Sequence, residues 1–184
     1  MTYEIDIKGL KRELPLCPIS DELCIGAFIM FGDVEMTIHS ARELLKLAPQ
    51  HDIIITAESK GIPLLYEMAR QSNNNNYIVA RKGPKLYMKN VLTVEVDSIT
   101  TDHKQILCIG EDEINLMKGK KILIVDDVIS TGESLHALEC LVNKAGGEIV
   151  GKMAVLAEGD AIARSDITNL APLPLFDRKS GKPI

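Results

Sequence analysis

Apolar positions recur along the chain in two rhythms, and their alternation sets the expected fold. Ala41, Leu44, Leu45 and Ala48 follow the i, i+3, i+4, i+7 spacing of one helix face, so Val34–Leu47 reads as an amphipathic helix closed off by Pro49. Ile62, Leu65, Tyr66 and Ala69 repeat that spacing and predict a second helix over Ile62–Gln71. Leu135, Leu138, Val142 and Ala145 predict a third, ended by Gly146–Gly147 as a left-handed cap would end it. Between these lie short apolar runs with no helical period: Asp52–Thr56, Tyr77–Ala80, Lys121–Val125 and Ile149–Ala157. Val91–Val96 instead alternates apolar with polar, the pattern of a half-exposed strand.

Nearly continuous apolar strands separated by helices imply a mostly parallel sheet covered on both faces, an α/β fold. The core is expected over 34–157 of a single domain spanning 1–184. Residues 1–33 break the rhythm and are expected to form a small hood with a tail at 158–184, where Pro172, Pro174 and Pro183 suppress helix. Asn73–Asn76 reads as a polar turn.

Composition narrows the partners. Of 184 residues, 46% are hydrophobic and 26% charged, enough to bury a core and inconsistent with a disordered or fibrous chain. A net charge of -5, aromatics at 4% and no Trp argue against a nucleic-acid surface, which needs surplus Lys and Arg or stacking rings. No secretory h-region and no membrane-length apolar run are visible, and the four scattered cysteines form no C-x-x-C pair. A cytoplasmic protein with reduced thiols and no membrane partner is expected.

One segment carries chemistry. Lys121–Val125 runs into Asp126 and Asp127, followed by Ser130, Thr131, Gly132, Glu133 and Ser134 at the start of a helix. Open α/β sheets place ligands at the carboxyl ends of their strands, and helix-start N–H groups with nearby hydroxyls cradle anions. Two carboxylates beside such a cradle fit a sugar monophosphate whose vicinal hydroxyls meet the acids. Helix capping needs one such side chain, not two acids and three hydroxyls. Gly146–Lys152 spells G-x-x-x-x-G-K, but Met153 stands where Ser or Thr is needed, and helix precedes strand.

The string VDDVISTGES resembles the signature of the type I phosphoribosyltransferases, which implies that family's fold and its substrate, phosphoribosyl pyrophosphate. By that resemblance Asp126 and Asp127 hold the ribose hydroxyls. Ser130, Thr131, Gly132, Glu133 and Ser134 wrap the 5-phosphate. Many members have a second glycine where Glu133 stands, so this residue is expected to offer only its N–H and turn its side chain to solvent. Thr56–Gly61 resembles the family's pyrophosphate loop, giving Glu58, Ser59, Lys60 and Gly61 to the leaving group. Ala80–Met88 is similar to the R-K-x-G-K-L stretch of adenine phosphoribosyltransferases, adding Arg81, Lys82 and Lys85, with Lys82 close to the chemistry and the neighbouring subunit of a homodimer within reach.

Asp97–Lys104 occupies the position of the family's catalytic lid, without the glutamate those enzymes carry near Thr100. Base-pocket residues match least well, and Ile25, Phe28 and Glu158 are the candidates. The resemblance implies Mg²⁺ bound through the substrate, with no firm protein ligands. The activity so implied is phosphoribosyl transfer to a purine, adenine first, for purine salvage. The alternatives are the same chemistry on hypoxanthine, guanine or xanthine, and a regulator that binds phosphoribosyl pyrophosphate without turnover.

Overall fold

The structure is a computed structural model that describes residues 1–96 and 105–184; the expected lid at 97–104 lies outside the described residues. The chain opens with β1 (Thr2–Ile7) and β2 (Leu10–Pro18), an antiparallel hairpin in which Ile7 faces Leu10. Lys8 and Gly9 both adopt positive φ (52° and 91°), the geometry that matches a two-residue turn to the twist of its strands. β3 (Leu23–Gly26) pairs with β2 and, on its other side, with β11 (Phe176–Asp177). The two ends of the chain thus share one four-stranded sheet.

The core follows. Asp33 caps α1 (Val34–Leu47), its carboxylate accepting from Met36 N at 3.0 Å. Arg12 from β2 grips the same carboxylate at 2.7 and 3.0 Å, clamping the hood to the first core helix and holding the Asp33 carboxyl below its ordinary range. Then come β4 (Ile53–Ala57), α2 (Ile62–Gln71) and β5 (Ile78–Ala80). An antiparallel pair, β6 (Leu92–Val96) and β7 (Gln105–Ile109), and the short α3 (Glu111–Met117) precede β8 (Lys121–Ile129). The chain continues through α4 (Glu133–Ala145), β9 (Glu148–Glu158), a 3-10 turn at Gly159–Ala163 and β10 (Thr168–Leu173).

β10, β9, β8, β4 and β5 form an all-parallel sheet in that order. Side-chain alternation divides its interior. Ile54, Leu123, Val125, Met153 and Val155 pack with α1, α2 and the hood, whereas Ile53, Ile55, Ile122, Ile124 and Ala154 pack with α4 and the β6–β7 pair. Every one of these ten positions is buried, which explains why the strands read as continuous apolar runs.

Three features differ from the sequence expectation. β8 runs four residues past Val125, because Asp126 and Val128 still pair with Ala154 and Leu156 of β9. The segment beyond residue 157 supplies the edge strand β10; Pro172 is tolerated there because an edge strand has no neighbour on its outer side. The hood is a sheet whose first two strands are joined by a turn that Lys-Gly does not announce. All four cysteines are free thiols, and among the described residues no helix is long and apolar enough to cross a membrane.

Leu123 is fully buried where the hood, α1 and α2 converge on the sheet. Leu123→Ala is expected to destabilise the fold by about 2–5 kcal/mol, read as a lowered urea midpoint with little change in slope.

Candidate active site

Strand connectivity opens one crevice. From β4 the chain crosses by α2 to β5 on one side, and from β8 it crosses by α4 to β9 on the other, so the order reverses between β4 and β8. Those two strands pair only from Ile53–Ile122 to Ile55–Ile124, while β8 and β9 stay paired up to Ile129–Ala157. Above Ile55 the strands part, and the loop from Glu58 to Gly61 lies across the gap.

Asp126 and Asp127 stand in that gap, 9% and 3% exposed. Asp126 Oδ1 accepts from Ser59 Oγ at 3.1 Å and from the Asp127 backbone N–H at 2.9 Å. Burial, reinforced by the adjacent Asp127 carboxylate, pushes the Asp126 carboxyl well above its ordinary range, to about 8. Asp127 Oδ2 is buried without a hydrogen-bond partner, and among the described residues its countercharge is Lys60 Nζ at 3.4 Å. Lys60 also donates to the Phe28 carbonyl at 3.0 Å.

Gly61 is what lets the loop and the acids meet. A methyl group there would lie 3.0 Å from Asp126 Oδ1, 3.2 Å from Asp127 N and 3.2 Å from Thr56 Oγ1. The Thr56 hydroxyl is itself fully buried and without a hydrogen-bond partner. Two orphaned oxygens beside a carboxylate pair form a site short of hydrogen bonds, a deficit that ligand hydroxyls or a hard cation would relieve. Among the described residues no cluster of three His, Cys, Asp or Glu side chains is arranged to hold a metal ion by itself.

The remaining sequence candidates fall in three places. Ser130, Thr131, Gly132 and Ser134 line a small concavity shared with Asp126, and Gly132 takes φ 82° as it enters α4. Glu133 is half-buried at the first position of α4. Glu58 serves the second cluster as an organiser: its carboxylate accepts from Lys82 N at 3.0 Å and pairs with Arg81 Nη2 at 3.1 Å. The Lys82 N–H and the Arg81 charge hold that carboxyl below its ordinary range. Arg81 is further tied to β7 by two backbone bonds with Cys108, both 2.8 Å, while the Lys82 side chain is exposed and Lys85 half-buried.

The base candidates divide. Glu158 is half-buried at the end of β9, its carboxyl raised by burial and opposed by the charge of Lys60. Ile25 is half-buried on β3. The Phe28 ring belongs to the core, and the group it turns to Lys60 is its carbonyl. Sequence reasoning missed Thr56, although a lone hydroxyl at the end of an isoleucine run is a legible signal. It also missed Arg164, which only the fold brings to Gly132.

Comparison with known proteins agrees with this geometry. The family model described as the phosphoribosyl transferase domain matches residues 37–169. The adenine phosphoribosyltransferase of Thermotoga maritima is 31% identical over 166 residues, covering 85% of this chain and 87% of the relative. The hypoxanthine/guanine phosphoribosyltransferase of Methanococcus voltae is 31% identical over 144 residues, covering 78% and 70%. Among solved structures, the adenine phosphoribosyltransferase of Thermoanaerobacter pseudethanolicus superposes with a TM-score of 0.66 at 22% identity over 94% of this chain and 95% of that one, a likeness of fold. With a matched model and 31%-identical relatives each covering most of its length, the chain belongs to the phosphoribosyl transferase family.

Proposed function

We propose that the protein is a purine phosphoribosyltransferase, moving the 5-phosphoribosyl group of phosphoribosyl pyrophosphate to a purine, adenine first, with release of pyrophosphate. The observation that carries this reading is the meeting of Asp126, Asp127, Ser59, Lys60 and Gly61 in the β4–β8 crevice. The carboxylates would accept the ribose hydroxyls, and Ser130, Thr131, Gly132, Glu133 and Ser134 would surround the 5-phosphate with N–H and hydroxyl groups. Ser59, Lys60 and Gly61, with Arg81, Lys82 and Lys85, would receive the pyrophosphate. In the reaction the bond from the anomeric carbon to pyrophosphate breaks, a purine ring nitrogen bonds to that carbon, and the nitrogen's proton is released.

Positive charge develops on the ribose ring as pyrophosphate departs. A buried carboxylate pair beside the ring stabilises that charge, because little water is present to screen it. Lys60 is freed from Asp127 when the sugar takes its place and is then available to the leaving group. Asp127 Oδ2 and the substrate's own oxygens offer donors suited to Mg²⁺. Bound there, the ion would neutralise charge on the departing pyrophosphate. Glu158 and the Phe28 carbonyl are acceptors suited to the amino group of adenine. Relatives named for hypoxanthine and guanine keep the 6-oxopurines as the second reading.

A homodimer is the assembly this reading favours. Exposed Val34, Ile38, Tyr66 and Tyr77 line a hollow of about 450 Å³ between α1 and α2. An apolar patch of that kind on a protein surface marks an interface. A second copy seated there would lie beside Ile62, one residue beyond the loop that closes the site.

Four outcomes test the proposal. Pyrophosphate release measured with phosphoribosyl pyrophosphate, Mg²⁺ and a panel of free bases is expected to be fastest with adenine; binding without turnover on any base would identify a regulator instead. Asp126→Asn and Asp127→Asn are expected to abolish the upward melting shift that phosphoribosyl pyrophosphate and Mg²⁺ give the wild type.

In the ligand-free protein Asp126 binds its proton more tightly folded than unfolded, so its contribution to stability is complete below the ordinary carboxylate value of 3.8 and is lost as pH rises toward about 8. Unfolding free energies from urea melts should therefore fall between pH 5 and pH 8, and Asp126→Asn should flatten that slope. Sedimentation equilibrium is expected to return a dimer that Tyr66→Glu converts to monomer; a wild-type monomer would remove the assembly.

A further inference from the structure

The residues of the phosphate cradle bring no positive side chain of their own. No Lys or Arg occurs between Lys121 and Lys144, whereas Asp126, Asp127, Glu133 and Glu139 are all acidic. A sugar monophosphate holds roughly -1.5 to -2 charges near neutral pH. Backbone N–H groups and a helix terminus supply only partial charges, of about half a unit. Lys60 is engaged elsewhere, between Asp127 and the Phe28 carbonyl.

Among the described residues, Arg164 is a basic side chain placed against the cradle itself. It leaves the 3-10 turn after β9, and its Nη1 sits so close to Gly132 that a methyl group at residue 132 would be 2.6 Å away. Its other two nitrogens are anchored: Nε and Nη2 donate to Asp166 Oδ1 and Oδ2 at 2.9 and 2.8 Å. Lys152 reaches the same Asp166 and also Glu139 of α4. The guanidinium is thus held in one plane by a network that also touches the helix whose start forms the cradle, with its third nitrogen directed at the loop. The side chain is 33% exposed, so it is not walled off from solutes.

We propose that Arg164 is a phosphate-binding residue, offering through Nη1 a cationic N–H donor that the side chains of the 130–134 loop do not carry and so fixing the 5-phosphate of the substrate. This rests on the reading of the loop as a phosphoribosyl site and adds to it a residue outside the signature. Glycine at 132 then has two reasons: its positive φ, and the space that the guanidinium fills. A guanidinium already fixed by Asp166 loses little side-chain freedom on meeting the phosphate, and such charge-assisted pairs are among the strongest available to a protein.

The test is calorimetry with ribose 5-phosphate and, separately, with pyrophosphate. Arg164→Gln is expected to weaken ribose 5-phosphate about tenfold or more while leaving pyrophosphate within about twofold, and Arg164→Lys to recover most of the loss. Unchanged ribose 5-phosphate affinity in Arg164→Gln, or equal weakening of both ligands, would overturn the role. A second readout needs no variant: ribose 5-phosphate should protect Arg164 of the wild type from phenylglyoxal, followed by peptide mass spectrometry, while pyrophosphate should not. Modification at an undiminished rate overturns the proposal too. Wild-type protein that binds no ribose 5-phosphate at all would instead remove the phosphoribosyl reading on which the role rests.

Discussion

The structure is organised around the cost of keeping two adjacent carboxyl groups out of water at the end of a buried strand. An isolated carboxylate in such surroundings is strongly unfavourable, so it must find donors, find a countercharge or take a proton. Asp126 does the first and the last: Ser59 Oγ and the Asp127 N–H serve one oxygen, and burial raises its affinity for a proton. Asp127 relies on Lys60, which comes from the same loop as Ser59. Both compensations arrive from one tripeptide, and Gly61 is the residue whose missing side chain allows that tripeptide to approach. Even so, Asp127 Oδ2 and Thr56 Oγ1 stay without hydrogen bonds. A fold selected for stability alone would fill this corner with apolar side chains; a ligand at the proposed site would supply the missing partners.

The sheet explains why the deficit can exist at this point and not elsewhere. From Ile122 to Ile124, β8 is flanked by β4 on one side and β9 on the other and is buried on both faces of the sheet, where an unpaired oxygen would have no outlet. Past Ile124 the ladder to β4 stops, and the crevice opens on one side while β9 continues to hold the backbone of the acids on the other. Rigid support together with one open edge is the arrangement that lets polar groups be positioned without being buried irretrievably. The hood adds the opposite wall through the Phe28 carbonyl, and the Arg12–Asp33 clamp fixes that wall to α1.

What was legible in the sequence was whatever local spacing encodes. The bounds of α1 and α2 follow from their apolar period, with Pro49 closing α1, and the end of α4 follows from Gly146 in its left-handed conformation. The acid pair and its hydroxyl loop were legible because they are contiguous. The hood was not, because β3 gains its second neighbour from β11, some 150 residues away in sequence, and the Lys8–Gly9 turn has no distinctive composition. α3 was missed because a seven-residue helix is too short to show a helical period, and β7 went unread although its apolar run is as long as that of β4. Glu58 was legible as a loop residue but not as the group that organises Arg81 and Lys82, since that contact joins two separate strand ends.

Charge around the crevice also bears on how specificity for the base could arise. Lys60 faces three acceptors: the Asp127 carboxylate, the Phe28 carbonyl and, at longer range, Glu158. Without ligand these acceptors share one cation, so neither the sugar side nor the base side of the site is electrostatically satisfied. A sugar that occupies Asp127 with its hydroxyls leaves Lys60 to the pyrophosphate and takes it away from the Phe28 carbonyl and Glu158. Those two groups then lack a donor, and an exocyclic amine on the incoming base provides one where an exocyclic oxygen would not. Preference for an amino-purine would on this account be conditional on the sugar being bound first, because the lysine that otherwise quiets the acceptors is also the one the leaving group recruits.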